Sequence, residues 1–240
     1  MSDKDENENS KNHDTDDNVI EFKKPEKSSY SEKTDPQLKP SPIINLPPLT
    51  KVILLGIIGI HIVVTLLLSA DLMQKIYLDW GFIPARFSGS LDFSMTSIFT
   101  PITHMLLHGS WIHIAMNGIM LAAFGSGVEN WLGPKRTFAI LVFSGLCGVA
   151  LHYAFHINSV YPVIGASGGI SGLFAAALIM IQRQHGPMTQ YGIWPFVILW
   201  IVISVAFGFI GSPDGSAVAW AAHLGGFFGG FVALKLMKIL

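Results

Sequence analysis

Residues 164–182 read IGASGGISGLFAAALIMIQ, a run without a single acidic or basic side chain. As an α-helix, a run of this length is long enough to cross the ~30 Å hydrocarbon core of a bilayer. Its first half is rich in Gly and Ser, which let helices approach each other closely inside a membrane. The stretch therefore predicts an intramembrane helix that packs tightly against a neighbour.

Five further stretches have 19 to 23 residues and likewise lack Asp, Glu, Lys and Arg. They are residues 52–70, 106–128, 137–157, 193–211 and 216–234. Together the six stretches predict an all-α polytopic membrane protein with six transmembrane helices.

The charged residues are concentrated at the amino terminus. Only 13% of the 240 residues are charged, and residues 1–51 hold eight Lys and eleven Asp or Glu. Average soluble domains carry about 25% charged residues, so this composition speaks against a soluble enzyme. Residues 1–50 are predicted to be a disordered acidic and polar tail with a Pro-rich connector, and residues 51–240 the membrane domain. A net charge of -1 gives no electrostatic case for nucleic-acid binding.

The basic residues near the span ends predict the orientation, because cytoplasmic loops retain Lys and Arg. With both termini in the cytoplasm, the inner side receives six basic residues and the outer side two. The inner ones are Lys51, Lys135, Arg136, Arg183, Lys235 and Lys238, and the outer ones are Lys75 and Arg86. The first outer loop, residues 71–103, mixes aromatic and polar side chains and is predicted to dip into the outer membrane interface.

Neutral polar residues in three spans are predicted to lie at one depth. The second span contains HMLLHGSWIHIAMNG (104–118), the fourth GASGGISG (165–172) and the sixth AAHLGGFFGG (221–230). At 1.5 Å per residue, Asn117 and His223 lie ~10 Å below the outer ends of their spans. Ser167 reaches a similar depth if residues 160–166 enter as irregular backbone, which is tolerated there only where protein or water surrounds it.

This convergence predicts an acyl-transfer site. Ser167 is the expected nucleophile and His223 the general base that takes its proton. Backbone N–H groups at the helix start, together with His113 and Asn117, are the expected oxyanion hole. No Asp or Glu lies in any span to orient the histidine, so a Ser–His dyad fits better than a triad.

Several residues compete with this assignment. Ser171 also satisfies G-x-S-G and lies one turn deeper, and Gly and Ser at this spacing commonly serve only helix packing. Asp214 is the nearest carboxylate in sequence to His223. Glu129 is expected to be structural. The histidines expected to make only structural hydrogen bonds are His61, His152 and His156. No motif has metal-ligand spacing with a carboxylate, and no cofactor or metal is expected.

These motifs and their order resemble the rhomboid family of intramembrane serine proteases. The resemblance covers about residues 50–240 and rests on HxxxHxxxxHxxxN, GASG and AHLGG in spans two, four and six. It implies a bacterial-type six-span bundle, the same four site residues, and cleavage of single-pass transmembrane proteins near the outer face. It further implies that the fifth helix and the last outer loop move to admit substrate, and it suggests the bacterial inner membrane as location.

Two features depart from the pattern of many members. The Trp-Arg pair of the first outer loop is absent, and residues 95–100 read MTSIFT instead. Four residues after the nucleophile some members carry an aromatic ring that stacks on the catalytic histidine, whereas this chain has Ser171. The alternative to a protease is a non-catalytic polytopic membrane binding protein or transporter, although no internal repeat supports a transporter.

Overall fold

The computed structural model describes residues 46–211 and 218–240, and this part of the chain is helical. We number eight helices along it, and shorter helical turns link α3 to α4. They are α1 (Pro48–Leu67), α2 (Ala70–Trp80), α3 (Pro84–Ser88), α4 (Trp111–Leu132), α5 (Pro134–Phe155), α6 (Ser167–His185), α7 (Trp194–Ile210) and α8 (Trp220–Leu236). Within the described residues the one β-type pairing is an isolated bridge between Phe82 and Val163. The predicted all-α class is confirmed, while the predicted tail and Asp214 lie outside the described residues.

Three of the helices are long and apolar enough to cross a membrane, namely α1, α4 and α5. Helix α7 is also apolar but has only 17 residues. Helix α6 has 19 residues and starts at Ser167 rather than Ile164. Residues 157–166 precede it largely as irregular backbone, as the depth argument required. The number of crossings stays a prediction.

The first helix begins at Pro48, four residues before the predicted start, because Glu129 of α4 supplies its amino-terminal cap. The carboxyl oxygens of Glu129 accept hydrogen bonds from the backbone N–H groups of Leu49 and Thr50 at 2.9 and 2.8 Å. They also accept one from the Thr50 hydroxyl at 2.8 Å. A proline needs no hydrogen bond for its nitrogen in the first turn, so Pro48 is compatible with this start. The structural role expected for Glu129 is thus a cap that ties α4 to α1.

Replacing Glu129 with alanine is expected to lower the free energy of unfolding by about 2–4 kcal/mol, because three buried donors lose their acceptor. Thermal denaturation of the purified chain in detergent measures the effect. Asp79→Ala is the matched control, since Asp79 pairs with Lys75 only at the surface, at 3.3 Å, and such pairs contribute little. Equal melting temperatures of Glu129→Ala and Asp79→Ala would contradict the capping role of Glu129.

Helices α5, α6 and α8 pack backbone to backbone through small residues. A Cβ atom added to Gly226 of α8 would collide with the backbone of Gly168 of α6, and one added to Gly230 would collide with Gly172. On the other side of α8, a Cβ atom at Gly225 would lie 2.6 Å from the carbonyl oxygen of Cys147 in α5. The spacing of the small residues predicted this packing. The same helices, α6 and α8, carry Ser167 and His223.

The predicted outer loop, residues 71–103, is tied to the segment that leads into α6. The backbone groups of Phe82 and Val163 exchange two hydrogen bonds of 3.0 and 2.8 Å. A third bond joins the N–H of Ala85 to the carbonyl of Ser159 at 3.0 Å. Because these bonds use backbone atoms, they hold the loop whatever side chains it carries. The loop therefore anchors the chain immediately before Ser167.

In place of the Trp-Arg pair, the MTSIFT stretch is held by its own hydroxyl groups. Ser94 and Ser97 form a reciprocal capping box, and the Thr100 hydroxyl donates to the carbonyl of Ser97 at 2.8 Å. Thr103 donates to the carbonyl of Trp80 at 2.8 Å, which joins the stretch to α2. The loop is thus anchored without a Trp-Arg pair.

Candidate active site

Ser167 is the first residue of α6, and the chain reaches it through a sharp turn. Gly165 has a φ of +120°, a conformation that favours glycine, and its N–H donates to the carbonyl of His104 at 2.8 Å. Ala166 precedes the helix without a side-chain cap. The N–H groups of the first turn of α6 are therefore not capped by a side chain and point toward the space above Ser167.

Helix α8 brings His223 to this serine. The Nε2 atom of His223 lies 2.8 Å from the Oγ atom of Ser167, within hydrogen-bond distance, although the residues are 56 positions apart. The approach depends on the neighbouring helix backbones, because a Cβ atom at Gly168 would already lie 3.3 Å from the carbonyl oxygen of Ala222. The two helices thus meet at the level where the two side chains project.

The two expected oxyanion residues occupy one side of α4. A Cβ atom at Gly165 would lie 2.7 Å from the His113 Nε2 atom and 3.8 Å from the Ser167 Oγ atom. The His113 ring and the serine hydroxyl therefore border the same small space beside Gly165. Asn117 is buried one turn further along α4, where its Nδ2 donates to the His113 carbonyl at 3.1 Å. Its Oδ1 is buried without a hydrogen-bond partner.

The competing serine has a different partner. The hydroxyl of Ser171 is turned back along α6 and donates to the carbonyl of Ser167 at 2.7 Å. A serine that bonds one turn back in its own helix satisfies its donor locally. Ser171 is fully buried, so the structure brings Ser167 rather than Ser171 to the histidine of α8.

The remaining histidines make contacts of their own. The Nδ1 atom of His61 lies 3.1 Å from the carbonyl oxygen of His108, which also accepts a bond from the Tyr77 hydroxyl at 2.9 Å. Burial raises the pKa of Tyr77, so the phenol stays protonated and able to donate. The His108 ring lies edge-on against His113, with centroids 5.0 Å apart. This network packs directly behind the candidate oxyanion residue.

At the carboxyl-terminal end of α5, His152 and His156 stack with centroids 4.4 Å apart. His156 also contacts Trp220, at a centroid separation of 6.3 Å. Within residues 46–211 and 218–240, no group of three His, Cys, Asp or Glu side chains is arranged to hold a metal ion. The one buried acid of the described part of the chain, Glu129, is engaged by α1.

One neighbour of the candidate dyad was not expected from the sequence. The indole of Trp200, on α7, lies against the imidazole of His223 with centroids 6.4 Å apart and an interplanar angle of 40°. Because α7 is apolar over its whole length, no periodic pattern distinguishes Trp200 from the neighbouring apolar residues. Only the packing of α7 identifies the residue.

Comparison with known proteins places the sequence of this chain in one family. The Rhomboid domain matches residues 95–238. Rhomboid protease GluP of Bacillus subtilis is 33% identical over 139 residues, which are 58% of this chain and 26% of that protein. RHOMBOID-like protein 7 of Arabidopsis thaliana is 32% identical over 138 residues, 58% of this chain and 42% of that protein.

A third relative matches over a longer stretch. Rhomboid protease GlpG of Salmonella paratyphi A is 29% identical over 182 residues, 75% of this chain and 59% of that protein. The chain thus spans between about a quarter and about three fifths of the length of these relatives. The matched domain covers more than half of the chain and contains all four candidate site residues. The chain is therefore an all-α, multi-pass integral membrane protein that belongs to the rhomboid family.

Proposed function

We propose that this protein is an intramembrane serine endopeptidase that cleaves single-pass transmembrane proteins near the outer face of the membrane. The observation that carries the proposal is the 2.8 Å separation between Ser167 Oγ and His223 Nε2. The bacterial relatives are named as rhomboid proteases, which supports the same reaction class. No cofactor is required for this chemistry, since the nucleophile and the base are both side chains.

The proposed reaction begins when His223 Nε2 takes the proton of Ser167 as the serine oxygen attacks the carbonyl carbon of the scissile peptide bond. The carbonyl oxygen becomes an oxyanion, which the N–H groups at the start of α6 and the side chains of His113 and Asn117 stabilise. A carboxamide nitrogen carries two hydrogens, so Asn117 retains one donor beside its bond to the His113 carbonyl.

The C–N bond then breaks, and His223 returns the proton to the leaving amine. The substrate's acyl group remains as an ester on Ser167. Water, deprotonated by His223, hydrolyses this ester and regenerates the serine hydroxyl. The dyad performs both steps without a carboxylate.

The proposed topology has six membrane crossings, made by α1 and α4 to α8. The distribution of Lys and Arg supports cytoplasmic termini, and therefore a site that opens toward the outer side. A tag at the amino terminus is expected to be cleaved by added protease only in inverted membrane vesicles. Cleavage of the tag in right-side-out vesicles would show that the amino terminus lies on the outer side.

The function is tested with the full chain in liposomes together with single-pass model substrates of varied transmembrane sequence. We expect two fragments, whose masses locate the cut near the outer end of the substrate helix. A fluorophosphonate probe should label the same chain on serine and block cleavage. If the chain shows no cleavage and no labelling, the alternative of a non-catalytic membrane binding protein is favoured.

Alanine at His113 or at Asn117 is expected to lower kcat by about 100-fold with little change in KM, because each residue would act on charge that develops in the transition state. The cleavage assay in liposomes measures both constants. Met116→Ala is the control, since this exposed side chain lies on the same helix between the two. An unchanged kcat in both site variants would show that His113 and Asn117 do not form the oxyanion hole.

A further inference from the structure

The ring that supports the candidate base comes from an unexpected helix. At the position one turn after Ser167, where some family members carry an aromatic residue, this chain has Ser171. The Ser171 hydroxyl is committed to the Ser167 carbonyl and offers no ring surface to His223. Among the described residues, the aromatic side chain that lies against His223 is Trp200 of α7.

Trp200 is itself fixed by both helices of the candidate dyad. Its ring lies 4.9 Å from that of Phe174 on α6 and 6.3 Å from that of Phe227 on α8, measured between centroids. Phe227 is one turn from His223, and Phe174 is two turns from Ser167. These separations are typical of aromatic pairs that attract each other. The indole therefore contacts aromatic rings of both helices and lies beside the imidazole of His223.

We propose that Trp200 is a positioning residue that holds the His223 imidazole in line with Ser167. This inference rests on the proposed Ser–His dyad. Among the described residues no carboxylate is bonded to the His223 imidazole, which contacts Ser167 through Nε2. A flat ring packed beside the imidazole restricts its rotation about the two side-chain bonds. The tryptophan of α7 thereby performs the role that an aromatic residue four positions after the nucleophile performs in some members of the family.

The same contact makes the base depend on the position of α7. The indole Nε1 of Trp200 and the hydroxyl of Ser204, one turn later on α7, are both buried without a hydrogen-bond partner. Unpaired polar groups of this kind weaken the attachment of a helix. Helix α7 is therefore held mainly by apolar contacts, and any displacement of α7 also withdraws the ring from His223.

The test compares the rate of fluorophosphonate labelling with kcat and KM for a cleaved substrate in Trp200→Ala, Trp200→Phe and the parent chain. A small probe reports on the dyad without requiring a transmembrane substrate to pass α7. We expect Trp200→Ala to lower the labelling rate and kcat by about tenfold with KM within about twofold, because small displacements of reacting groups slow chemistry strongly. Trp200→Phe keeps a ring and is expected to stay within about threefold of the parent.

Val197→Ala is the matched control, because Val197 is buried in the same apolar cluster, one turn before Trp200 on α7. It removes an apolar contact of α7 but keeps the indole beside His223, so its labelling rate should stay near the parent value. If Trp200→Ala does not fold, Trp200→Leu, which keeps an apolar side chain without a ring, replaces it and should show the same loss.

Labelling of Trp200→Ala at the parent rate would overturn the positioning role. Faster labelling would also overturn it and would indicate that Trp200 restricts access to the dyad. Equal losses of labelling rate in Trp200→Ala and Val197→Ala would show that Trp200 contributes only to the packing of α7. In either case the dyad itself stands, provided that the parent chain is labelled and Ser167→Ala is not. Absence of labelling in the parent chain would overturn the dyad and the inference together.

Discussion

Replacing Ser167 with alanine is expected to reduce cleavage by at least about 1000-fold, to the background of the assay, whereas Ser171→Ala retains most of the activity. The first change removes the proposed nucleophile. The second removes only a hydroxyl that bonds to the Ser167 carbonyl at 2.7 Å, a bond with a net contribution of about 1 kcal/mol. Cleavage of a single-pass substrate by the chain in liposomes measures both rates.

His223→Ala provides the control for this prediction. If His223 is the base of the same catalytic unit, its loss should be comparable to that of Ser167→Ala, and the double variant should be no slower than either single one. Losses that multiply would assign His223 a structural role. An inactive Ser171→Ala with an active Ser167→Ala would move the nucleophile one turn deeper into α6.

Gly226→Ala is expected to lower activity strongly without touching either member of the dyad. An alanine Cβ atom at this position would collide with the backbone of Gly168, and backbone cannot move aside as a flexible side chain does. The two helices must separate, which costs about 1–3 kcal/mol of stability or more. Because Gly168 directly follows Ser167, a shift of about 1 Å separates the dyad and should lower kcat by about 100-fold.

Two other glycines provide matched controls for this variant. Gly59 on α1 is exposed and has no atom within 4 Å of a built Cβ. At Gly127 on α4 the nearest atom is the flexible end of Met180, at 3.2 Å. Alanine at either site should preserve cleavage and the melting temperature, since alanine is the better helix former. Wild-type cleavage and melting in Gly226→Ala would show that α6 and α8 do not require this close approach.

The sequence by itself determined the class of structure. Uncharged, mostly apolar runs of about 20 residues match the thickness of the hydrocarbon core as helices. A helix satisfies its backbone groups within its own segment, so these runs predict the all-α bundle. The small residues in GASGGISG and AAHLGGFFGG predicted the close contact of α6 and α8 because only side chains of that size allow it. The start of α6 at Ser167 was predicted from the irregular segment that precedes it.

The tertiary structure decided what no local pattern encodes. Ser167 and Ser171 lie in equivalent motifs, and only the crossing of α6 with α8 places one of them 2.8 Å from His223. The capping of α1 by Glu129 joins residues 80 positions apart. The contact of Trp200 with His223 likewise depends on how α7 is rotated against the bundle. Composition and spacing determine which residues can be buried in lipid, whereas the partner of each side chain is set by helix packing between segments distant in sequence.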